Sequence, residues 1–375
     1  MNKTIAYSIG IAALLLGLWG FFDRLVYGDA HAAYGSFVVW GLWVAAYFFL
    51  GGIAVGCFLW GSMDLLFDVP AFKGIGKTAL WASLVTLAAG LMAIGFDLGH
   101  MERIWKAYLQ ANLHSGVAED VWGYTLFGLF TLIALYQMVK GSRPAKVVVI
   151  LGFMTALYVA GAPGKLLGVN AARMYWHTAL LPVQFLFFAL TTGAAMLMVI
   201  YSFWGTPSKA EQLFSVLNRA TAVLLFVDLY LVWAYFGQGL AGDMPEVANP
   251  IHAVMSGHPF LFWVVQIFLG LLLPMVMLAQ RKTALNSSLV GIMGLCILIG
   301  NMVTRYFILV PGQQEDLIEG LSTAFHGHGY TLAYAPSITE WAVFSGLIGI
   351  VIIGLLVGAD YLSPMCQCNK SQKEA

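Results

Sequence analysis

The chain has 375 residues, 60% hydrophobic and 10% charged, with a formal net charge of zero and a mean hydropathy of +0.83. Soluble domains carry about 25% charged residues, so a soluble enzyme is excluded and a polytopic membrane protein is implied. The balanced charge offers no basic excess for nucleic acid, and none is expected as a partner.

Apolar runs near the ~20 residues that a spanning helix needs recur ten times. They lie at roughly 5–22, 38–62, 78–97, 122–140, 146–163, 178–203, 220–240, 259–280, 287–309 and 338–360. The expected fold is an all-α polytopic membrane protein, one integral membrane domain over 1–375. The first run follows Lys3 like a signal peptide, and Ala30-His31-Ala32 resembles a cleavage site. That site lies too far beyond the run, past Phe21, Phe22, Asp23, Arg24 and Tyr27, so a retained helix is expected. Pro163-Gly164, Pro207, Pro250, Pro259 and Pro311 punctuate span ends. Pro274, inside the eighth span, predicts a kink.

Phe48-Phe49-Leu50 with Gly52 and Ala54 is echoed by Phe187-Phe188 with Leu190, Gly193 and Ala194. A parallel repeat would make 38–163 one four-helix bundle and 178–309 a second, flanked by helices 5–22 and 338–360 and a cytoplasmic tail at 361–375. Gly52-x-x-x-Gly56 suits close helix packing. Tryptophans at span ends, such as Trp40, Trp60, Trp122, Trp176, Trp204 and Trp341, suit an interfacial belt.

Lys and Arg set the orientation. Lys3, Lys73, Lys77, Lys140, Arg143, Lys146, Lys209, Arg219, Arg281, Lys282, Lys370 and Lys373 fall on one side. Arg24, Arg103, Lys106, Lys165, Arg173 and Arg305 fall on the other. Both termini are therefore expected in the cytoplasm. All eight histidines (His31, His100, His114, His177, His252, His258, His326 and His328) lie on the outer side, with the longer loops and most of the acids. A bias against outer cations does not explain outer histidines. The outer face is expected to carry the chemistry, to dock a partner protein, or both.

Asp97-Leu-Gly-His-Met-Glu-Arg103 stands at the outer end of the third span. If the helix runs on, Asp97, His100 and Arg103 share a face and can move protons at the membrane boundary; otherwise they mark a solvated helix end. Asp228 falls inside the seventh span, where a carboxylate costs ~2.5–3.5 kcal/mol on insertion scales and is a functional candidate by default. Asn301 and Arg305 lie one turn apart in the ninth span. Glu340 opens the tenth and is a candidate structural partner for Arg305. Cys57 and Cys296 lie in apolar spans as packing residues, and Cys366 and Cys368 form a Cys-x-Cys in the tail with a metal or lipid role as the alternative. No histidine lies mid-span to hold a haem, and four scattered cysteines argue against an iron–sulfur cluster in this chain. A P-loop and a dinucleotide-binding turn are also missing from the sequence. No metal is expected here. What remains is the binding of a redox-active small molecule and the handling of its protons.

Trp40-Gly-Leu-Trp-Val-Ala-Ala-Tyr-Phe-Phe-Leu-Gly-Gly-Ile-Ala-Val-Gly-Cys-Phe58 resembles the signature helix of the NrfD/PsrC family, the membrane subunits of polysulfide reductase-like complexes. Asp97-Leu-Gly-His100, Val121-Trp-Gly-Tyr124, and Trp176-His177 with Leu181-Pro182, Phe185 and Gly193 follow in the family's order. Arg305-Tyr306, Pro311-Gly-Gln313 and Tyr334-x-Pro-Ser337 with Glu340-Trp341 resemble its longer, ten-helix branch. The resemblance implies a quinone-reactive subunit in the bacterial inner membrane, binding menaquinone or ubiquinone near the outer face. It implies a ferredoxin-like four-cluster iron–sulfur partner, joined to a molybdopterin enzyme or another periplasmic catalytic subunit that chooses the terminal substrate.

The Asn and His that hold quinone on the family's signature helix align with Val44 and Tyr47. The head-group contacts therefore differ, and Tyr47, Arg103, Tyr124 and His177 become the expected quinone-binding residues. His100, with the carboxylates of Asp97 and Glu102, is the expected proton acceptor. Asp228, with Arg305 and Glu340, is the expected proton path. The competing reading is a secondary transporter whose coupling carboxylate is Asp228, which would break helices at matched positions in both halves.

Overall fold

In the computed structural model, which describes residues 3–112, 114–280, 286–318, 320–325, 327 and 329–362, one helix is enclosed by the others. It is α2, Leu42–Leu65. It is apolar all round, and such a helix is stable when buried on every side. The other spanning helices are α1 (Lys3–Tyr27), α3 (Gly76–Asp97), α4 (Gly116–Val139), α5 (Lys146–Gly168), α6 (Leu180–Trp204), α7 (Pro207–Ala241), α8 (Phe260–Ala279), α9 (Ser287–Leu309) and α10 (Ile338–Tyr361). The protein is thus a polytopic membrane protein with ten apolar helices, and no strand occurs among the described residues. Arg281, Lys282, His326, His328, Cys366, Cys368, Lys370 and Lys373 lie outside the described residues.

Helix contacts follow the order of the sequence. α2, α3, α4 and α5 pack in a ring of neighbours, and α6, α7, α8 and α9 form another. The two groups meet where α2 crosses α6. A methyl group on Gly56 would lie 1.9 Å from Ala189 O, and one on Gly193 would lie 2.2 Å from the Gly56 carbonyl carbon. Small residues here let two backbones touch, which is what drives helix association in lipid. The remaining pair, α1 and α10, packs together and docks against α3 and α2.

Several helix ends differ from the sequence expectation. α4 starts six residues earlier than the apolar run, so Glu119 and Asp120 enter the helix. Pro163-Gly164 does not end α5, which runs on to Gly168. The kink expected at Pro274 takes the form of a change of helix type. Phe260–Leu272 is wound as a π-helix and Leu273–Ala279 as an α-helix. Pro274 then sits in the first turn of the α-helical segment, where a missing N–H costs least. α10 opens with a capping box, in which Ser337 Oγ accepts from Glu340 N at 3.2 Å and Glu340 Oε2 accepts from Ser337 N at 2.8 Å.

The described parts of the loops 28–41, 98–115, 169–179, 242–259 and 310–337 join helix ends on one face, here the long-loop face. They are laced to the helix ends. Tyr175 Oη donates to Phe307 O at 2.9 Å and Trp176 Nε1 to Ile308 O at 2.8 Å, capping α9. Gln313 clasps Trp40 through N–H to Oε1 at 3.0 Å and Nε2–H to O at 2.8 Å.

Candidate functional site

α3 stops at Asp97, and the backbone re-forms as a short 3-10 turn over Met101–Arg103. The helix does not run on, so the face expected to unite Asp97, His100 and Arg103 is not built. His100, Glu102 and Arg103 instead form a group on the loop. His100 Nδ1 lies 3.0 Å from Glu102 Oε1, and Arg103 Nε lies 3.4 Å from the same oxygen. All three are exposed. The Glu102 carboxyl is held below its ordinary range by its own backbone N–H, then by His100 and Arg103. Asp97 turns away from them, towards Arg24 and Glu340. The loop beyond folds back over the start of α4, where the Tyr108 and Thr125 hydroxyls meet at 3.0 Å and Tyr108 packs edge-on to Trp122 at 5.5 Å.

Beneath that loop, Tyr47 of α2 and Tyr124 of α4 come together. Their rings meet edge to face at 5.5 Å, and both are buried. The Tyr124 hydroxyl reaches Val159 O over 3.5 Å, at the outer limit of a hydrogen bond, so this phenol has donor capacity to spare. One turn earlier on α4, Asp120 is 6% exposed and close enough for its charge to act on both phenols. No described residue donates a hydrogen bond to its carboxylate. Asp120 was not among the residues expected from sequence, because the apolar run starts at 122 and left it in a loop. The readable signal was its i, i+4 spacing to Tyr124.

Successive glycines of α2 let polar groups reach its backbone from opposite sides. A methyl group on Gly51 would lie 3.0 Å from Tyr124 Oη, and one on Gly52 would lie 3.4 Å from Arg305 Nη2. Arg305 is 1% exposed, with its guanidinium 4.0 Å from the Phe185 ring centre and 5.2 Å from that of Phe188. Its Nε and Nη1 have no partner. Asp228, fully buried, accepts from Thr191 Oγ1 at 2.6 Å while its Oδ1 stays unpaired. The expected Arg305–Glu340 pair does not form. Glu340 is taken at the other side of α2, where it accepts from Tyr334 Oη at 2.5 Å, Ala33 N at 3.0 Å and Ser337 N.

Towards the long-loop face from Asp228, Gln184, Gln266, Thr304 and Tyr235 surround a cavity of about 10 Å³. Both glutamine Oε1 atoms are buried without a partner. That volume is about the lower limit for one water, and the two glutamine oxygens are the acceptors it would meet. Tyr235 also lines a cleft of about 270 Å³ at the surface, with Tyr175, His177, Gln238, Met174 and Met244. His177 is exposed there, its Nδ1 3.0 Å from Gly168 O. Of the four expected quinone contacts, then, Tyr47 and Tyr124 share a site, Arg103 sits on the loop above, and His177 lies in the loop that joins the two helix groups.

Among similar proteins, a selenate reductase subunit of Mesobacillus selenatarsenatis is 28% identical, over 94% of the present sequence and 92% of its own. The integral membrane subunit of the Hdr-like menaquinol oxidoreductase of Archaeoglobus fulgidus is 25% identical, over 92% and 86%. A polysulfide reductase subunit of Wolinella succinogenes is 24% identical, over 74% and 95%. The family described as polysulphide reductase, NrfD, matches residues 32–315, and the protein belongs to it.

Proposed function

We propose that this protein is the quinone-reactive membrane subunit of a respiratory oxidoreductase, exchanging electrons between a menaquinone or ubiquinone pool and an iron–sulfur subunit docked on the long-loop face. A molybdopterin or other catalytic subunit would complete the complex, and the long-loop face would be extracytoplasmic with both termini inside. The observation that carries the reading is the buried cluster of Tyr47, Tyr124 and Asp120 at the membrane boundary, in a family of reductase membrane subunits whose named relatives include a menaquinol oxidoreductase. The Tyr124 phenol, with donor capacity to spare, fits a carbonyl oxygen of a quinone ring, Tyr47 supports it from α2, and a carboxylate fits the ring's protons.

When bound, a quinone supplies paired electron and proton chemistry. The protein supplies the rest. Tyr124 orients a ring oxygen by a hydrogen bond, and Tyr47 holds the Tyr124 phenol in place. Asp120, desolvated and without a hydrogen bond of its own, takes or returns a proton. His100, with Glu102 and Arg103, exchanges protons with water from the loop above. Asp228 and Arg305 form a deeper proton path, with the glutamine-lined water site on its outer side; Glu340, held by Tyr334, contributes by anchoring α10.

Neutralising the carboxylate tests the reading. In complex purified in mild detergent, Asp120→Asn is expected to lower quinol oxidation about a hundredfold with the iron–sulfur subunit still co-purifying. An unchanged rate, or wild-type complex without any iron–sulfur subunit, would sink the proposal. The transporter alternative requires helices broken at matched positions. α8 changes type at Pro274, but α4, its counterpart in the first group, runs unbroken from Gly116 to Val139.

A further inference from the structure

The chain between α3 and α4 leaves the bundle and returns to it on the outside of α4. It starts where Arg24 takes the last carbonyls of α3, Nε–H to Phe96 O at 2.7 Å and Nη2–H to Leu98 O at 2.9 Å. Beyond the 3-10 turn at Met101–Arg103 the backbone stays helical through Ile104 and Trp105 into a single turn, Lys106–Leu109. Ile104 and Tyr108 are four positions apart, as are Trp105 and Leu109, so the four share one apolar stripe. All four are exposed, Leu109 to 78%.

Tyr108 holds this turn against α4. The Thr125 hydroxyl donates to Val121 O at 2.7 Å, so in its 3.0 Å contact with Tyr108 the phenol is the donor. The Tyr108 ring also packs against Trp122. Trp122, placed as an interfacial tryptophan is, opens the exposed stripe of α4 that continues through Leu126, Leu129 and Leu132 and faces lipid. Thr125 lies about 4.5 Å deeper than Trp122 along the helix. A phenol bonded there sets the Ile104–Leu109 stripe beside the lipid-facing band of α4 and continuous with it. Lys106, whose Nζ lies 5.7 Å from the Trp105 ring centre, can reach back to the headgroups. A turn with exposed apolar side chains and a lysine at this depth lies in the plane of the interface.

Running from the end of α3 to the flank of α4, the segment crosses the outer end of the seam between these two helices. Deeper in the membrane that seam is closed, since a methyl group on Gly128 would lie 3.1 Å from Leu87 Cδ2. Tyr124 stands one turn outward from Gly128 and next to Thr125, between the closed part of the seam and the segment. We propose that residues 104–109 form an interfacial strap, seated in lipid at the long-loop face and latched by Tyr108, that opens to pass a quinone ring sideways between the bilayer and the Tyr124–Asp120 site. The strap rests on the quinone reading, because that ligand must enter from lipid. Its seat in lipid rests on the loop geometry alone.

The seat is tested in purified complex reconstituted into lipid nanodiscs. A nitroxide on Leu109→Cys is expected to be relaxed more by dissolved oxygen than by a water-soluble nickel chelate. A stronger effect of the chelate, or shielding from both that requires the iron–sulfur subunit, overturns the lipid seat. The gate is tested by joining Tyr108→Cys to Thr125→Cys with a short bis-thiosulfonate that reductant removes. Quinol oxidation is expected to fall roughly tenfold on joining and to recover on reduction, relative to the same sample before joining and to wild type treated alike. An unchanged rate, or a loss that reduction does not restore, overturns the gate. Where the cysteine pair does not assemble, the nitroxide on Leu109→Cys still decides the seat, without which no strap exists. Full activity in Asp120→Asn would defeat the quinone reading itself, whereas an inactive Asp120→Asn beside a joined variant of unchanged rate would defeat the strap alone.

Discussion

The two helix groups that meet at α2 and α6 place their carboxylates at different depths. Asp120 stands four residues into α4, about 6 Å along the helix, whereas Asp228 lies thirteen residues from the outer end of α7, about 20 Å down. With a hydrocarbon core near 30 Å, the first is at the boundary and the second near the middle. Their surroundings follow from that. Asp120 has two phenols beside it, a loop bearing His100 above it, and no hydrogen-bond donor. Asp228 has Thr191, an arginine wrapped in phenylalanine rings, and a water-sized cavity between it and the surface. A group at the boundary can meet a lipid-soluble ligand and exchange protons with water. A group at the middle is reached only from within the bundle, and on the proposed reading it serves the protons.

The seam between the groups offers the most drastic way to break this arrangement. In Gly193→Leu, the first side-chain carbon would lie 2.5 Å from Cys57 N as well as against Gly56. Both neighbours are backbone, so α2 and α6 must part. The variant is expected to accumulate in membranes to less than about a tenth of the wild-type level, since a disrupted core costs several kcal/mol. Quantitative immunoblotting checks this, and normal accumulation would mean that the crossing is not at Gly56–Gly193.

Tyr124→Phe comes next and sharpens the boundary site. It removes one hydroxyl and keeps the ring against Tyr47. Quinol oxidation is expected to fall about tenfold, with a higher KM, for the loss of a hydrogen bond worth ~1–1.5 kcal/mol. Normal kinetics would show that the phenol does not touch the ligand.

How far the sequence discloses this site depends on what each residue answers to. The ten helices are legible because lipid forces backbone hydrogen bonds to close within each helix, and apolar length alone reports that. Tyr47 and Tyr124 are legible as candidates because they interrupt apolar helices near an end. Asp120 is hidden because a hydropathy run marks where a helix becomes apolar, not where its first turn begins. The parting of Asp97 from His100 is hidden for the opposite reason. Spacing predicts a shared face only while the helix continues, and the α3 carbonyls are stopped by Arg24, a residue more than seventy positions away in sequence. Glu340 could have been read from Ser337-Ile-Thr-Glu340 as a capping box, which would have removed it as a partner for Arg305.

A variant of the deep carboxylate tests whether proton movement can be separated from electron transfer. Asp228→Asn keeps the Thr191 bond and removes the charge. Quinol oxidation is expected to stay within about threefold of wild type, while protons moved per electron pair fall in sealed vesicles, as for a proton-path residue that never contacts the ligand. A collapse of the oxidation rate in detergent, where no gradient opposes it, would place Asp228 in the reaction itself and erase the distinction between the two depths.

The smallest effect is expected at His177, the expected quinone contact in the loop between the two helix groups. Its Nδ1 is already engaged by the Gly168 carbonyl at 3.0 Å, it is exposed, and its cleft is walled by α7 and the 169–179 loop rather than by α2 and α4. His177→Ala should therefore change quinol oxidation by less than about twofold, as surface substitutions away from a site usually do. A loss as deep as that of Asp120→Asn would move the ligand from the paired phenols into the roughly 270 Å³ cleft. Tyr235 would then join the ligand site directly to the glutamine-lined water cavity, and the second helix group, not the first, would hold both the reaction and the proton path.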